Sequence, residues 1–272
     1  MAGVRHWFIT GASGGLGREL TTRALQRGER VTATVRRPQS LDDLVAAHGD
    51  RLTVAVADLA RPADVERVLA DVGPVDVVVN NAGYVVAGAA EEMSAADARD
   101  QVEVLLLAPM RITQAFLRPM RERGGGRILQ ISSMGGQVAV PTHSAYHAGK
   151  WGLEGFTESV AQEMAEFGVH LSIVEIGGTR TGFATAIRFT EETEPYRHGA
   201  TGRVRRGLES LTPESLTGDP AKIAAVIDEL SRDPAPPVRV TLGTDSHQAV
   251  HAALTERLNV LESQTVPSVA FT

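Results

Sequence analysis

Residues Thr10-Gly11-Ala12-Ser13-Gly14-Gly15-Leu16-Gly17 join an apolar run, 4–10, to a helical pattern over 15–27. The four glycines of this stretch let a chain turn sharply after a strand and let its backbone approach a ligand closely. The helix that follows offers free N–H groups and the positive end of its dipole, where a pyrophosphate binds. A plain strand-to-helix turn also uses glycine, but the position after the first strand favours a dinucleotide site.

Beyond this loop, short apolar runs alternate with helical patterns along the chain. The runs are apolar throughout, which is typical of strands buried on both faces of a parallel sheet. The alternation predicts a single doubly wound α/β domain of the Rossmann type, with about seven parallel strands and helices on both faces. The predicted strands are 4–10, 30–35, 52–57, 75–80, 127–132, 169–174 and 238–243, and the predicted helices are 15–27, 62–71, 95–120, 145–167, 220–231 and 246–261.

One long segment, residues 181–219, interrupts this alternation. It is rich in Arg, Glu, Gly, Thr and Pro and has weak periodicity. Ordered segments of this length in compact domains usually have a function, so we expect a substrate lid with some helix of its own. The domain is expected to span 1–272, with a loose tail over 266–272.

Composition excludes several classes of protein. The chain has 33 acidic and 27 basic residues and a net charge of −6, which argues against a general nucleic-acid binder. It has no cysteine, so it has no disulfide framework and no thiolate site, and its histidines and acids lack metal-ligand spacing. No apolar run reaches ~18 residues and no signal-peptide pattern is visible, so we expect a soluble cytoplasmic protein that does not enter the membrane.

The end of the second predicted strand bears on the choice of cofactor. In dinucleotide folds an acid at this position binds the ribose 2′-hydroxyl of NAD, and an arginine nearby accommodates the 2′-phosphate of NADP. Here Val35 is followed by Arg36 and Arg37, with no acid. Two solvated surface arginines are the alternative interpretation, but the pattern favours NADP(H).

A tyrosine and a lysine, Tyr146 and Lys150, are four residues apart on a predicted helix and share one face. A phenol normally loses its proton near pH ~10, and a nearby ammonium lowers that pKa. Such a tyrosine can act as a general acid or base. The hydroxyl of Ser133, which follows the fifth predicted strand, can hold the reacting oxygen of a substrate while a cofactor supplies hydride. The pattern predicts the interconversion of a carbonyl and an alcohol.

Taken together, these motifs resemble those of the short-chain dehydrogenase/reductase (SDR) family over residues 4–261. The resemblance implies that Ser133, Tyr146 and Lys150 are catalytic, and that Lys150 also binds the nicotinamide ribose. It also implies a homo-oligomer, a dimer or a tetramer, formed through the two longest predicted helices.

The same resemblance assigns the cofactor site to several stretches of the chain. Asp58-Leu59 matches the pair that contacts adenine, and Asn80-Asn81-Ala82-Gly83 matches the motif that steadies the sheet and lines the site. Gly177 and Thr181 match the segment at the nicotinamide end. The implied cofactor-binding residues are Gly11, Ser13, Gly15, Leu16, Gly17, Arg36, Arg37, Asp58, Leu59, Asn81, Ala82, Gly83, Tyr146, Lys150, Gly177, Thr179 and Thr181.

Two positions depart from the family pattern. Leu105 stands where the family has a catalytic asparagine, and leucine cannot hold the water through which the family passes protons to solvent. Gln101 or Glu103 could supply a polar group instead. Ile176 stands where the family usually has proline, so the loop that begins at Gly177 is expected to be less rigid.

The expected function is NADP(H)-dependent oxidoreduction of a small organic substrate, with Tyr146 as general acid/base. The alternative is an SDR-fold protein with altered chemistry or a nucleotide-sensing role, because Leu105 replaces the asparagine. The intact Ser, Tyr and Lys favour an enzyme. His143 and His147 flank Tyr146, and their interpretation as surface polar residues is favoured over a proton relay. The fold is no guide to the identity of the substrate.

Overall fold

A computed structural model of the protein describes residues 3–264, and the tail predicted over 266–272 lies outside them. The strands are β1 (His6–Thr10), β2 (Arg30–Val35), β3 (Leu52–Val56), β4 (Val77–Asn80), β5 (Val86–Ala87), β6 (Gly126–Ser133), β7 (Val169–Ile176), β8 (Arg188–Phe189) and β9 (Arg239–Leu242). Seven parallel strands form the main sheet in the order β3-β2-β1-β4-β6-β7-β9, and β5 pairs with β8 in a second, parallel sheet. This order reverses direction between β1 and β4, which confirms the predicted doubly wound architecture.

Helices cover both faces of the sheet. The helices are α1 (Gly15–Gln26), α2 (Asp42–His48), α3 (Pro62–Asp71), α4 (Ala95–Val102), α5 (Ala108–Glu122), α6 (Ser144–Met164), α7 (Glu194–Arg197), α8 (Ala200–Glu209), α9 (Pro220–Leu230) and α10 (Thr244–Ser263). In β1, Trp7 and Ile9 lie in one buried cluster with residues of α1 and α9, and Phe8 lies in another with residues of α5 and α6. Successive side chains of a strand point to opposite faces, which is why the predicted strands are apolar throughout.

The helix predicted over 95–120 is interrupted in the structure. A π-helical turn, Glu103–Leu107, separates α4 from α5 and contains Leu105. Such turns insert one extra residue into a helix and are common at functional sites. Among the helices of residues 3–264, none combines the length and the apolar character that a membrane crossing requires.

The segment over 181–219 is joined to the sheet at a narrow base. Thr179 and Gly218 form an isolated parallel bridge, and the N–H of Arg180 donates to the Gly218 carbonyl at 2.8 Å. The Gly218 N–H donates in turn to the carbonyl of Gly178 at 2.9 Å. The two ends of the segment therefore lie side by side, and β8, α7 and α8 lie between them.

The glycine loop between β1 and α1 is tied to the end of β4. The Asn81 amide nitrogen donates to the Thr10 carbonyl at 2.8 Å and to the Gly11 carbonyl at 3.3 Å. Gly11 has a φ of +68°, which favours glycine. Gly17 lies against the same two groups, because a Cβ built on it would collide with the Gly11 carbonyl oxygen and lie 2.5 Å from Asn81 Nδ2.

We expect Gly17→Ala to destabilise the protein by about 1–3 kcal/mol, the usual range for an added methyl in a packed site. The added Cβ forces either the Gly11 carbonyl or the Asn81 amide out of place, and both are held by hydrogen bonds. Urea denaturation measures the change. Gly14→Ala is the matched control, because a Cβ on extended Gly14 meets no atom within 4 Å. Equal losses of stability in Gly17→Ala and Gly14→Ala would contradict this description of the loop.

Candidate active site

The carboxyl end of β6 and the first two turns of α6 bring together the three residues that the sequence predicts to be catalytic. Ser133 ends β6, and its Oγ accepts a hydrogen bond from the Gly135 N–H at 3.1 Å. Tyr146 is 7% exposed, and its phenol lies close to the side chain of Ser133. The Nζ atom of Lys150 lies 6.0 Å from the centroid of the Tyr146 ring. A hydroxyl, a phenol and an ammonium therefore meet at the edge of the sheet where α/β proteins bind ligands.

Lys150 is buried, with 5% of its surface exposed. Its Nζ atom donates to the main-chain carbonyl of Ile131 at 2.6 Å. Burial lowers the pKa of Lys150 to about 8, and the negative charge of Glu154 acts in the opposite direction. The ammonium therefore persists below about pH 8 and is lost as the pH rises above that value.

Burial raises the pKa of Tyr146 above that of a free phenol. The nearby Ser133 side chain lowers this pKa and the charge of Glu154 raises it further, but burial is the largest cause. The sequence suggests the opposite direction, because it shows a lysine on the same helical face and does not show the depth of the ring. Tyr146 is therefore a protonated phenol near neutral pH, ready to donate.

Leu105 is completely buried and fills the space beside these residues. It lies in an apolar cluster with Val85, Ala87 and Tyr146. Its Cβ atom lies so close to α6 that a Cβ built on Gly149 would be 2.7 Å away. An ordered water needs at least two polar partners, and the Leu105 side chain supplies none.

The two polar residues considered as substitutes at this position have other partners. Gln101 is completely buried, and its side chain donates to the Tyr84 carbonyl at 3.3 Å and accepts from the Val86 N–H at 3.4 Å. Glu103 forms an ion pair with Arg111. The interpretation of either residue as a polar group of the site has no support in these contacts.

The two histidines beside Tyr146 differ in their bonding. His147 donates from Nδ1 to the Gly135 carbonyl at 2.8 Å and accepts the Val140 N–H at Nε2, at 3.0 Å. Both ring nitrogens are thus occupied, so His147 fixes the turn after Ser133. His143 lies edge-on to Tyr146, with ring centroids 5.8 Å apart, and burial lowers its pKa.

The glycine loop offers a cradle that fits an anionic phosphate. The N-terminus of α1 has no side-chain cap at Gly14 and no acidic residue in its first turn. Thr181 lies over the loop, and a Cβ on Gly15 would be 3.0 Å from the Thr181 Cβ. Ser13 is exposed, whereas Leu16 is in the core and could reach a ligand only through its backbone.

Arg36 and Arg37, the two arginines at the end of β2 that are predicted to bind the cofactor, are exposed. Within residues 3–264 neither Arg36 nor Arg37 has a carboxylate partner, unlike Arg18 nearby, which pairs with Asp43. Unpaired guanidinium groups beside the cradle fit a further phosphate.

Local contacts also fix Asp58-Leu59, the pair expected to contact adenine, and the motif that follows β4. Asp58 accepts the Ala60 N–H at 3.1 Å, and the Leu59 side chain is in the core, so only its backbone can face a ligand. The Ala82 N–H donates to Thr10 Oγ1 at 3.0 Å, which holds the segment that leads to Gly83.

The segment at the nicotinamide end is held by an acid that the sequence did not single out. Ile176 continues β7, and the Gly177 N–H donates to the Leu242 carbonyl at 3.1 Å. Asp245, in the first turn of α10, accepts the Gly178 N–H at 2.8 Å. Thr179 Oγ1 donates to the Gly177 carbonyl at 3.0 Å. These bonds hold the segment without the proline, and the lower rigidity expected from Ile176 stays a prediction.

Glu154 is the other residue that sequence reasoning missed. It follows Lys150 by four residues, so the helical period already places it on the same face of α6. The signal was present, but a glutamate at this spacing is ordinarily part of a solvated face. In the structure its side chain is 2% exposed.

Comparison with known proteins gives consistent relatives. A family model described as short chain dehydrogenase matches residues 5–192. Oxidoreductase BOA17 from Botryotinia fuckeliana is 35% identical over 249 residues, which are 88% of this chain and 89% of that protein. The crystal structure of a short-chain dehydrogenase from Streptomyces avermitilis is 38% identical, with 96% of each chain covered and a TM-score of 0.87. A metagenomic short-chain oxidoreductase in complex with NADP is 26% identical, with 88% of this chain and 96% of that chain covered and a TM-score of 0.66.

We expect Leu105→Asn to destabilise the protein by about 1–3 kcal/mol, because it buries an amide among apolar groups that offer it no partner. Leu106→Asn is the control, because Leu106 belongs to the same turn but is partly exposed. In urea denaturation, Leu106→Asn should lose clearly less stability than Leu105→Asn. If Leu105→Asn kept full stability and turned over faster, the site would have room for the missing water after all.

Proposed function

Because the chain belongs to the short-chain dehydrogenase family, we propose that it interconverts a carbonyl and an alcohol on a small organic substrate with NADP(H). The observation that carries this proposal is the meeting of Ser133, Tyr146 and Lys150 at one edge of the sheet. A protein that only bound nucleotides would not need a buried phenol and ammonium together.

The proposed mechanism assigns one task to each of these residues. A nicotinamide cofactor would supply hydride to the carbonyl carbon in reduction and would accept it in oxidation. Tyr146 donates its phenolic proton to the carbonyl oxygen in reduction and accepts it back in oxidation. Ser133 Oγ holds the same oxygen. The Lys150 ammonium, held at the Ile131 carbonyl, stabilises the phenolate that forms, and its remaining N–H groups would hold the nicotinamide ribose.

The cofactor proposal rests on the cradle and the two arginines. The free N–H groups at the start of α1 would hold the pyrophosphate, and Arg36 and Arg37 would hold the 2′-phosphate of NADP(H). The remaining residues assigned by the resemblance to the cofactor site, from Asp58 to Thr181, lie along the same edge of the sheet. The NADP complex of the metagenomic relative supports this preference.

The segment over 181–219 is proposed to cover the substrate. Ile187, Phe189 and Leu208 of this segment pack against the apolar cluster that contains Tyr146. A substrate between them would meet mainly apolar side chains, so a carbonyl compound with a largely apolar body fits best. Homo-oligomerisation and a cytoplasmic location remain predictions from the sequence.

Steady-state oxidation of NADPH over a panel of aldehydes and ketones tests the proposed reaction. Turnover of any member supports it. The alternative, a nucleotide-sensing protein with altered chemistry, rests on the Leu105 side chain beside Tyr146. That alternative predicts tight NADPH binding with no turnover across the panel.

Tyr146→Phe is expected to lower kcat by ~10²–10⁴-fold, the usual contribution of general acid–base catalysis. The ring remains, so packing in the apolar cluster and the affinity for NADPH should change little. Tyr84→Phe is the control, because it removes a phenolic hydroxyl from another tyrosine, which is half-buried. Wild-type turnover in Tyr146→Phe would refute the role of Tyr146.

Arg36→Ala is expected to weaken NADPH binding by about 1.5–3 kcal/mol, the range for a hydrogen bond to a charged group. NADH affinity should hardly change, since NADH lacks the 2′-phosphate. Titration of cofactor fluorescence measures both dissociation constants. Arg99→Ala on α4 removes the same charge from an exposed site elsewhere. If Arg36→Ala weakened both cofactors equally, the phosphate contact would have to be reassigned to Arg37.

A further inference from the structure

Directly behind the proposed site, Glu154 lies in a buried polar pocket. Its carboxylate accepts hydrogen bonds from Ser132 Oγ, Gln137 Nε2 and an Arg239 nitrogen, each at 2.5 Å. The pocket is closely fitted, because a Cβ built on Gly136 would overlap the Glu154 carboxylate. Two separate parts of the chain, residues 132–137 and Arg239, thus converge on one carboxylate.

The surroundings of this pocket are negative overall. Arg239 also forms ion pairs with Glu175, which is completely buried, and with Glu158, at 2.6 Å. Three carboxylates therefore share one guanidinium. Arg257 contacts Gln137 Oε1 at 3.1 Å and stacks over Trp151, and it has no carboxylate partner within residues 3–264.

A carboxylate buried at this depth is stabilised only when hydrogen bonds and opposite charge compensate its loss of hydration. Arg239 supplies part of that charge, but two other carboxylates compete for it. Lys150, one turn earlier on α6, is buried with a single backbone acceptor, the Ile131 carbonyl. Lys150 and Glu154 form no ion pair within 4 Å, but at one turn's separation in a buried part of α6 the ammonium and the carboxylate attract each other.

We propose that Glu154 is a positioning residue, which keeps the Lys150 ammonium charged at the Ile131 carbonyl and fixes the turn that follows Ser133. The second task follows from its bonds to Ser132 and Gln137, which lie on either side of that turn. This inference rests on the proposed function, in which Lys150 must be charged to serve the cofactor and Tyr146.

The charged and titratable groups around the pair are few. On α6 they are Tyr146, Glu154 and Glu158, whereas β6 contributes the Ile131 carbonyl and two hydroxyls. β7 contributes Glu175, whose Oε2 accepts from Thr241 at 2.6 Å, and β9 contributes Arg239. The π-helical turn contributes the apolar side chain of Leu105, and its one carboxylate, Glu103, is paired with Arg111. Glu154 is the charge that favours the ammonium of Lys150 against burial.

The chain allows a direct test, because its two lysines are Lys150 and the exposed Lys222. NMR of protein labelled at lysine Cε follows both side chains during a pH titration. In Glu154→Gln the midpoint of Lys150 is expected to fall from about 8 by about 1 pH unit or more, the usual effect of a nearby opposite charge. Lys222 serves as the reference in the same spectrum.

Glu158→Gln is the matched control. It removes a carboxylate from the same helix and the same arginine, but its side chain is half exposed and one turn farther from Lys150. In Glu158→Gln, the midpoint of the Lys150 titration should stay at the wild-type value. Glu154→Met, which is close in volume and needs no buried hydrogen bond, replaces Glu154→Gln if that variant fails to fold.

The pH profile of kcat/KM gives a second readout that a purely structural role would not move. Loss of the ammonium limits activity at alkaline pH, so the alkaline limb of Glu154→Gln should lie at lower pH, and that of Glu158→Gln should not move. An unchanged Lys150 midpoint, or equal shifts in both variants, would overturn the inference even where the wild type turns over carbonyls. A shifted midpoint in a protein without any turnover would support the inference and refute the proposed reaction.

Discussion

The side-chain amide of Asn81 holds together the two strand ends from which the site is built. It donates to the carbonyls of Thr10 and Gly11, and Thr10 Oγ1 accepts the N–H groups of Asn81 and Ala82. These bonds join neighbouring strands at the point where the strand order reverses and the loops diverge into a crevice. Gly17 must lack a side chain because it packs against the same amide. The cradle for a phosphate therefore depends on one amide from outside the glycine loop.

The main sheet could be predicted because each strand is apolar throughout, a property that a local stretch of sequence displays by itself. Tyr146 and Lys150 followed from the helical period, and Ser133 from its match to the catalytic serine of the family pattern. The short α2, β5 and β8 were not predicted, since they span too few residues to show a period. The contact between Glu154 and Arg239 joins positions 85 residues apart, and nothing in either stretch signals it.

Burial explains why the electrostatics of the site differ from those that the sequence suggests. A lysine near a tyrosine favours the phenolate, but both groups are removed from water, which favours their neutral forms. The pKa of Tyr146 is raised and that of Lys150 is lowered, with burial as the largest cause of each change. Depth comes from the packing of Leu105, α6 and the 181–219 segment, and no single stretch of sequence records it.

The bridge between Thr179 and Gly218 separates the 181–219 segment from the sheet as an insertion with a closed base. The bonds at this base join main-chain atoms, which every residue except proline can supply. Replacement of the segment by one of another length would therefore leave β7 and α9 where they are. In evolutionary terms it is a module: exchange of the segment at this base would reshape the surface over Tyr146 and replace the β5–β8 pairing, while the seven strands of the main sheet keep their own bonds.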